Sequence, residues 1–193
     1  MSWSGRGGCA RRAARGFSTC GDAVFTWSVA GAGLFAVVDA LGHGTEAAAS
    51  ASIVAEVLAR SRRLPLREIF MGCDKALAGH RGVVMSAIQL REERVLFAGI
   101  GNVEIWGPKD ASRPPTSAGL VGRGLRAVRE WELAVADGQR WVLGSDGLQR
   151  RSAAKAIEEA RALAVEEAAA KILELAGRED DDVGVVVVDW SRS

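Results

Sequence analysis

The chain has 193 residues, and 25 Lys and Arg against 24 Asp and Glu give it a formal net charge of +1. This balance, without aromatic residues interleaved among basic ones, excludes a polyelectrolyte partner such as bulk nucleic acid. No apolar run approaches the ~20 residues that span a bilayer, so we expect no membrane segment. The three cysteines are widely spaced without a CxxC pair, which indicates neither a disulfide framework nor a zinc site. We therefore expect a cytoplasmic monomer with a single domain over residues 1–193.

The first part of the chain is predicted to begin with a loosely ordered segment, which a strand hairpin and two helices follow. Residues 1–16 are basic and glycine-rich without periodicity, which predicts a loosely ordered N-terminus. Short β-rich runs at 24–29 and 34–39 predict a hairpin. Apolar residues at helical spacing then predict two helices, over 45–63 and 66–78.

The second half of the chain is predicted to be mostly strands, with one long helix. Runs at 83–90 and 94–100 predict an antiparallel meander that residues 103–106 continue. Residues 108–124, rich in Gly, Pro and Ser, predict a mobile loop. A strand at 140–144, one helix over 153–175 and a valine-rich strand at 183–189 complete the order. Because strands and helices do not alternate, we expect an α+β layered sandwich and not a doubly wound fold.

Carboxylates stand at the ends of several predicted strands. Asp22 precedes the first strand, Asp39 ends the second, Asp146 follows the strand at 140–144, and residues 180–182 are three aspartates before the last strand. One such aspartate is usually only a turn or cap residue. Several strand ends can converge on one rim, however, where clustered like charges are costly unless cations neutralise them.

This pattern of residue types indicates a hard-oxygen metal site. Carboxylates without converging His or Cys suit Mg²⁺ or Mn²⁺ and do not suit zinc. Two such ions would bridge a water, lower its pKa and bind phosphoryl oxygens during an in-line displacement. The sequence therefore predicts metal-dependent hydrolysis of a phosphate ester.

Five short motifs, in order along nearly the whole chain, carry a family resemblance: CGD at 20–22, FAVVDALGHG at 35–44, FAGIGNVEIW at 97–106, LGSDGL at 143–148 and EDDDVGVVVV at 179–188. Each motif is weak alone, but the ordered set is specific. The chain resembles the PPM (PP2C-like) metal-dependent serine/threonine phosphatases, in particular the compact bacterial branch of sporulation and stressosome phosphatases. The resemblance implies an α-β-β-α sandwich, with two mostly antiparallel sheets flanked by helices.

The resemblance also implies roles for individual residues. It places the catalytic centre at Asp39, the bridging metal ligand, and at Asp22, which lies at the metal site through water. The implied metal ligands are Asp39, the backbone carbonyl of Ala40, Asp146 and Asp181. In the last motif Asp180 leaves this register uncertain by one residue. Possible phosphate-contacting or supporting residues are His43, Gly101, Asn102 and Asp182.

Three positions depart from the family pattern. Ala40 replaces a glycine, which is tolerable if its carbonyl binds the metal but doubtful if positive φ is required. Gly184 replaces a threonine, and Leu41 stands where larger members carry a histidine. His43 lies between glycines at a helix N-terminus, where it could contact phosphate or protonate a leaving alkoxide, or could simply be solvated.

The implied activity is that of a protein phosphatase with two Mn²⁺ or Mg²⁺ ions. Its substrates would be phosphoserine or phosphothreonine on stressosome scaffold proteins with STAS domains, hydrolysed by direct attack of a metal-bridged water. Ala40 and Gly184 motivate an alternative, a catalytically inactive PPM-like binding module. A third reading is a metal-dependent phosphodiesterase or small-molecule phosphatase, for which a small closed pocket would be expected.

Overall fold

The computed structural model describes residues 2–192. Within that range the chain forms nine strands: Trp3–Arg12 (β1), Asp22–Val29 (β2), Ala32–Ala40 (β3), Val83–Arg91 (β4), Arg94–Ile100 (β5), Glu104–Trp106 (β6), Trp131–Glu132 (β7), Arg140–Gly144 (β8) and Val183–Arg192 (β9). The same range forms four helices: Thr45–Ser61 (α1), Leu66–Ala76 (α2), Arg150–Glu159 (α3) and Val165–Ala176 (α4). None of the helices in this range is long and apolar enough to cross a membrane.

The strands form two antiparallel sheets that pack face to face. One sheet has the order β1-β9-β8-β6 and the other has the order β2-β3-β4-β5-β7. Apolar side chains of α1 and α2 pack on the outer face of the five-stranded sheet, and those of α3 and α4 pack on the outer face of the four-stranded sheet. This is the expected α-β-β-α sandwich, and the α+β prediction is confirmed.

Alternation along the central strands determines which residues face the other sheet. In β3, Phe35 and Val37 lie in the core between the sheets, whereas Leu34, Ala36 and Val38 lie against the helices. Successive strand residues point to opposite faces. Asp39 therefore lies on the same face of β3 as Phe35 and Val37, at the rim between the two sheets.

The N-terminal prediction is wrong, because residues 3–12 form β1, which pairs with β9 along its whole length. Its glycines serve close packing on both faces of the strand. A Cβ on Gly7 would lie 2.5 Å from the Phe35 ring, and a Cβ on Gly8 would lie 2.3 Å from the Val165 backbone. The glycine content therefore reflects close contact with the opposite sheet and with α4, not a frayed end.

The single helix predicted over 153–175 is also wrong, because α3 and α4 are separate helices. Arg140 lies where they separate and donates hydrogen bonds to the carbonyl oxygens of Ala160 and Leu163, both at 2.8 Å. Its guanidinium also forms an ion pair with Asp189, at 2.6 Å. A side chain from β8 thus satisfies carbonyl groups at the turn, where the sequence has neither Gly nor Pro to mark a break.

The predicted meander of three strands changes sheet before its third member. β4 and β5 pair with each other, but β6 pairs with β8 in the other sheet. Between them, Gly101 has a φ of 88° and turns the chain out of the five-stranded sheet. The crossing brings Asn102 to the same rim as Asp39.

Candidate active site

Asp22 and Asp39 face each other at the open end of the β2–β3 hairpin. They are paired in the antiparallel register of the two strands. Asp22 is 1% exposed, and one of its carboxylate oxygens, Oδ2, is buried without a hydrogen-bond partner. A buried carboxylate oxygen without a donor is costly, which makes this atom a candidate partner for a cation or a water that satisfies it.

Asp146 reaches the same rim from the four-stranded sheet. It lies just beyond β8 and lines the same cleft as Asp39, whose pKa it raises. The side-chain amide of Asn102 donates to Asp146 Oδ2 at 2.8 Å. The ends of β3, β8 and the β5–β6 turn therefore converge, although the residues are far apart in the sequence.

The three consecutive aspartates before β9 have three different environments. Asp180 is exposed and accepts two hydrogen bonds from Arg178, each at 3.1 Å. Asp181 is partly exposed and lines the cleft with Asp39 and Asp146. Asp182 is 4% exposed and accepts the backbone N–H groups of Ala14 and Gly21, each at 2.9 Å. Asp181 and Asp182 therefore lie at the cleft, Asp182 with its carboxylate engaged by backbone N–H groups, and Asp180 lies outside it.

The converging side chains line a cleft of about 210 Å³. The lining residues are Asp39, Ala40, Leu41, Gly42, His43, Val84, Asn102, Asp146, Asp181 and Asp182. A larger cleft of about 410 Å³ lies between the 108–115 segment and β7, and its lining includes none of these residues. We take the smaller cleft as the candidate active site, because it alone of the two holds clustered carboxylates.

The carboxyl groups of the cleft are mutually destabilised when charged. Burial, then the charges of Asp22 and Asp146, raise the pKa of Asp39 to about 9. Burial also raises the pKa of Asp22 to about 7, although a hydrogen bond from Ser145 lowers it. Burial and the charge of Asp146 raise the pKa of Asp181. A cation at the rim would relieve this repulsion and favour the charged forms.

The residues present fit a hard divalent cation. Apart from His43 at the edge, the converging polar side chains are carboxylates and one amide, whose oxygens Mg²⁺ and Mn²⁺ prefer, and Asp22 Oδ2 lacks a partner. Over residues 2–192, however, no three His, Cys, Asp or Glu side chains are grouped closely enough to hold one ion by themselves. An ion in this cleft would therefore complete its coordination with water or backbone carbonyl oxygen, as Mg²⁺ commonly does.

Ala40 and Gly184, which stand where the family pattern has glycine and threonine, are accommodated differently. Ala40 is the last residue of β3, is 2% exposed and is not among the residues with positive φ. Position 40 therefore does not require the positive φ that would favour glycine, and alanine is tolerated there. At Gly184 a Cβ would lie 3.3 Å from Asp22 Oδ2. The missing threonine side chain would thus have lain against the carboxylate oxygen that has no partner here.

His43 is at the edge of the cleft, not in its floor. Its Nδ1 lies 3.3 Å from Asp182 Oδ2 and 3.9 Å from Asp181 Oδ1, and its ring contacts Phe17. The side chain is 40% exposed. Asp182 therefore holds the imidazole at the exposed edge of the cleft.

Sequence reasoning missed Ser145. Its hydroxyl accepts the Gly184 N–H at 2.9 Å, and its interaction with the Asp22 carboxyl group lowers the pKa of that group. Trp141 and Leu143 lie in the core between the sheets, so alternation along β8 extends that face to Ser145. That alternation could have placed this serine beside the carboxylates.

Many solved structures share the fold, including these three. One, described as "The bacterial stressosome: a modular system that has been adapted to control secondary messenger signaling", is 31% identical, covers 97% of this chain and 100% of its own, and has a TM-score of 0.85. RsbX in complex with magnesium is 19% identical over 97% of this chain and 96% of its own, with a TM-score of 0.84. The catalytic domain of the phosphatase PstP, in complex with two manganese ions, is 20% identical over 99% of this chain and 100% of its own, with a TM-score of 0.80.

The sandwich thus has the architecture of metal-dependent protein phosphatases. Since the 31% identical structure matches over its whole length, the chain belongs to the PPM (PP2C-like) phosphatase family, with an RsbX-like fold. This confirms the resemblance found in the sequence motifs. No protein-family model and no curated protein sequence matches the chain.

Proposed function

We propose that this protein is a serine/threonine phosphoprotein phosphatase that uses Mn²⁺ or Mg²⁺, with two ions in the cleft. The observation that carries the proposal is the convergence of Asp39, Asp146 and Asp181 beside Asp22 on one rim of a two-sheet sandwich. Burial and mutual repulsion raise the pKa values of Asp22 and Asp39, and a bound divalent cation would offset this repulsion. The magnesium and manganese bound by RsbX and PstP support the same class of cofactor.

Each residue has a proposed part in this chemistry. Asp39, Asp146, Asp181 and the carbonyl oxygen of Ala40 would hold the ions, and Asp22 would act through water. Bound divalent ions supply a Lewis acid that lowers the pKa of water and offsets phosphoryl charge. Asn102 orients Asp146 through the hydrogen bond at 2.8 Å. His43, oriented by Asp182, would contact the phosphate or give a proton to the leaving oxygen.

The proposed substrates are phosphorylated STAS-domain scaffold proteins of a stressosome, dephosphorylated in the cytoplasm by the single-domain monomer. The 31% identical structure, which belongs to work on the bacterial stressosome, supports this choice of partner. The shallow position of the cleft at a rim supports it too. A phosphoserine on a folded protein can reach a rim, whereas a small-molecule phosphatase would use an enclosed pocket.

A binding module without catalysis is the second candidate. The observation that favours it is that no three acidic, His or Cys side chains between residues 2 and 192 are grouped closely enough to hold an ion. The clustered carboxylates oppose it, because they are costly to a domain that binds no cation.

Phosphate release separates the candidates. The assay uses p-nitrophenyl phosphate and a phosphoserine STAS protein, with Mn²⁺ or with EDTA. Release from both substrates with Mn²⁺, and none with EDTA, supports the protein phosphatase. If well-folded protein releases phosphate from neither substrate, the binding module is the remaining candidate. If it releases phosphate from p-nitrophenyl phosphate alone, STAS proteins are excluded as substrates.

A further inference from the structure

The segment of residues 116–125 is held by an anchor outside the candidate active site. Asp74, near the end of α2, accepts four consecutive backbone N–H groups from this segment. Its Oδ1 accepts those of Gly122, Arg123 and Gly124 at 2.6, 3.1 and 3.1 Å, and its Oδ2 accepts that of Leu125 at 3.0 Å. Four converging N–H groups form a nest for an anion, and here a side chain of the same molecule occupies it.

The same segment is joined to the sheet that carries Asp39. Val121 and Val83 exchange two backbone hydrogen bonds, at 2.9 and 3.0 Å. Ser117 donates its N–H to the Gly99 carbonyl and accepts the Gly101 N–H, each at 2.8 Å. The segment therefore lies along the β5 end, immediately before the turn that crosses between the sheets.

One side chain of the segment reaches that turn directly. The Thr116 hydroxyl donates to the Gly101 carbonyl at 2.5 Å. The contact needs glycine at position 99, because a Cβ there would lie 2.6 Å from the Thr116 methyl group. The next residue after Gly101 is Asn102, whose amide donates to Asp146.

We propose that Thr116, held in place by Asp74, is a positioning residue of the carboxylate cleft. It fixes the Gly101 peptide and so the direction from which Asn102 meets Asp146. The inference rests on the proposed function in one respect, which is that Asp146 holds a divalent ion. Neither Thr116 nor Asp74 lines the cleft, so both act through other residues.

A pair of substitutions at Thr116 tests the hydroxyl. Thr116→Val keeps the shape and removes the donor, whereas Thr116→Ser keeps the donor. We expect Thr116→Val to weaken Mn²⁺ binding, measured by calorimetry without substrate, by roughly tenfold, at the low end for substitutions that support metal ligands. Thr116→Ser should bind like the parent protein. Parent-like binding by Thr116→Val, or equal weakening by both variants, would overturn the proposal.

A pair of substitutions on α2 tests the anchor. Asp74→Asn places an amide NH₂ in the nest of N–H donors, and Glu68→Gln removes a charge from an exposed position of the same helix. We expect Asp74→Asn to speed amide hydrogen exchange at residues 122–125 and to weaken Mn²⁺ binding, while Glu68→Gln changes neither. Faster exchange with unchanged Mn²⁺ binding would overturn the coupling.

A measurement on metal-free protein keeps this inference separate from the proposed function. The Asn102 side-chain amide resonances, followed by NMR, should shift toward solvent-exposed values in Thr116→Val and remain in place in Thr116→Ser. If the parent protein binds no Mn²⁺, the proposed function fails, but these resonances still decide whether Thr116 positions Asn102. Unshifted resonances in Thr116→Val would contradict the inference.

Discussion

Asp22 and Asp39 are directly opposed in the β2–β3 register, so two carboxyl groups share the end of one antiparallel ladder. Like charges in opposed positions destabilise a sheet. Burial raises the pKa of Asp22 to about 7 and that of Asp39 to about 9, and the charge of Asp22 contributes to the rise at Asp39. The metal-free fold therefore contains buried carboxyl groups that repel one another when charged, and a bound cation would remove this repulsion.

The first prediction concerns the pH dependence of the metal-free protein. Because the folded-state pKa values of Asp22 and Asp39 lie above the ordinary 3.8, the folded state binds more protons than the unfolded state. Their favourable contribution is fully present below that value and is lost as pH rises through about 7 and then about 9. In EDTA, the denaturation midpoint should fall as pH rises across this window.

Asp39→Asn is the control for this pH dependence, since it removes one titrating group and part of the repulsion. The slope of stability against pH should become shallower in this variant. Saturating Mn²⁺ should likewise flatten the slope in the parent protein. A midpoint that rises with pH in EDTA would contradict the assigned shifts.

The second prediction concerns the register of residues 180–182. Asp181→Asn should greatly weaken Mn²⁺ binding, because Asp181 lines the cleft. Asp180→Asn is the matched control, since Asp180 pairs with Arg178 and does not line the cleft. Calorimetric titration with Mn²⁺ compares the two. A larger loss of Mn²⁺ binding in Asp180→Asn than in Asp181→Asn would show that the ligand is Asp180, one residue earlier.

The third prediction concerns Ser145. Ser145→Ala leaves the buried Gly184 N–H without its acceptor and removes an interaction that lowers the pKa of Asp22. We expect a loss of about 1–3 kcal/mol in the free energy of unfolding, measured in denaturant. Ser52→Ala, which removes an exposed hydroxyl bonded within α1, should change it by less than about 0.5 kcal/mol. Equal changes in the free energy of unfolding in the two variants would show that Ser145 stabilises the fold no more than an exposed serine does.

The fourth prediction compares two glycines. A Cβ on Gly147 would lie 2.0 Å from the Asp182 carbonyl oxygen, so Gly147→Ala should destabilise the fold by about 1–3 kcal/mol or more and weaken Mn²⁺ binding. A Cβ on Gly72, inside α2, would meet Val57 at an ordinary 3.6 Å. Gly72→Ala should therefore stabilise the protein by about 0.5–1 kcal/mol and leave Mn²⁺ binding unchanged. Thermal unfolding of both variants checks this, and a neutral Gly147→Ala would contradict the packing argument.

The sequence was sufficient to predict the layered architecture and the strand-end positions of Asp22, Asp39 and Asp146. Strand alternation and turn residues are local signals, and they place carboxylates at strand ends without knowledge of the fold. The convergence of those ends on one rim was an inference from packing. The structure shows the opposed register of Asp22 and Asp39 and the cleft that Asp39, Asp146 and Asp181 share.

What the sequence could not predict depends on contacts between distant residues. The break between α3 and α4 is stabilised by Arg140 from β8, and the glycines of β1 are explained only by close contact with the opposite sheet and with α4. Similarly, Asp182 differs from the exposed Asp180 because it is buried and accepts hydrogen bonds from two distant backbone N–H groups. Local propensity contains no information on such partners.

The central claim is that the opposed carboxylates form a divalent-cation site, and direct Mn²⁺ binding tests it. Calorimetric titration of the EDTA-stripped, re-dialysed parent protein should show saturable binding. The same titration of Asp39→Asn should show that binding lost or greatly weakened, while circular dichroism confirms an unchanged fold. No saturable binding by the parent protein, or equal binding by Asp39→Asn, would contradict the account.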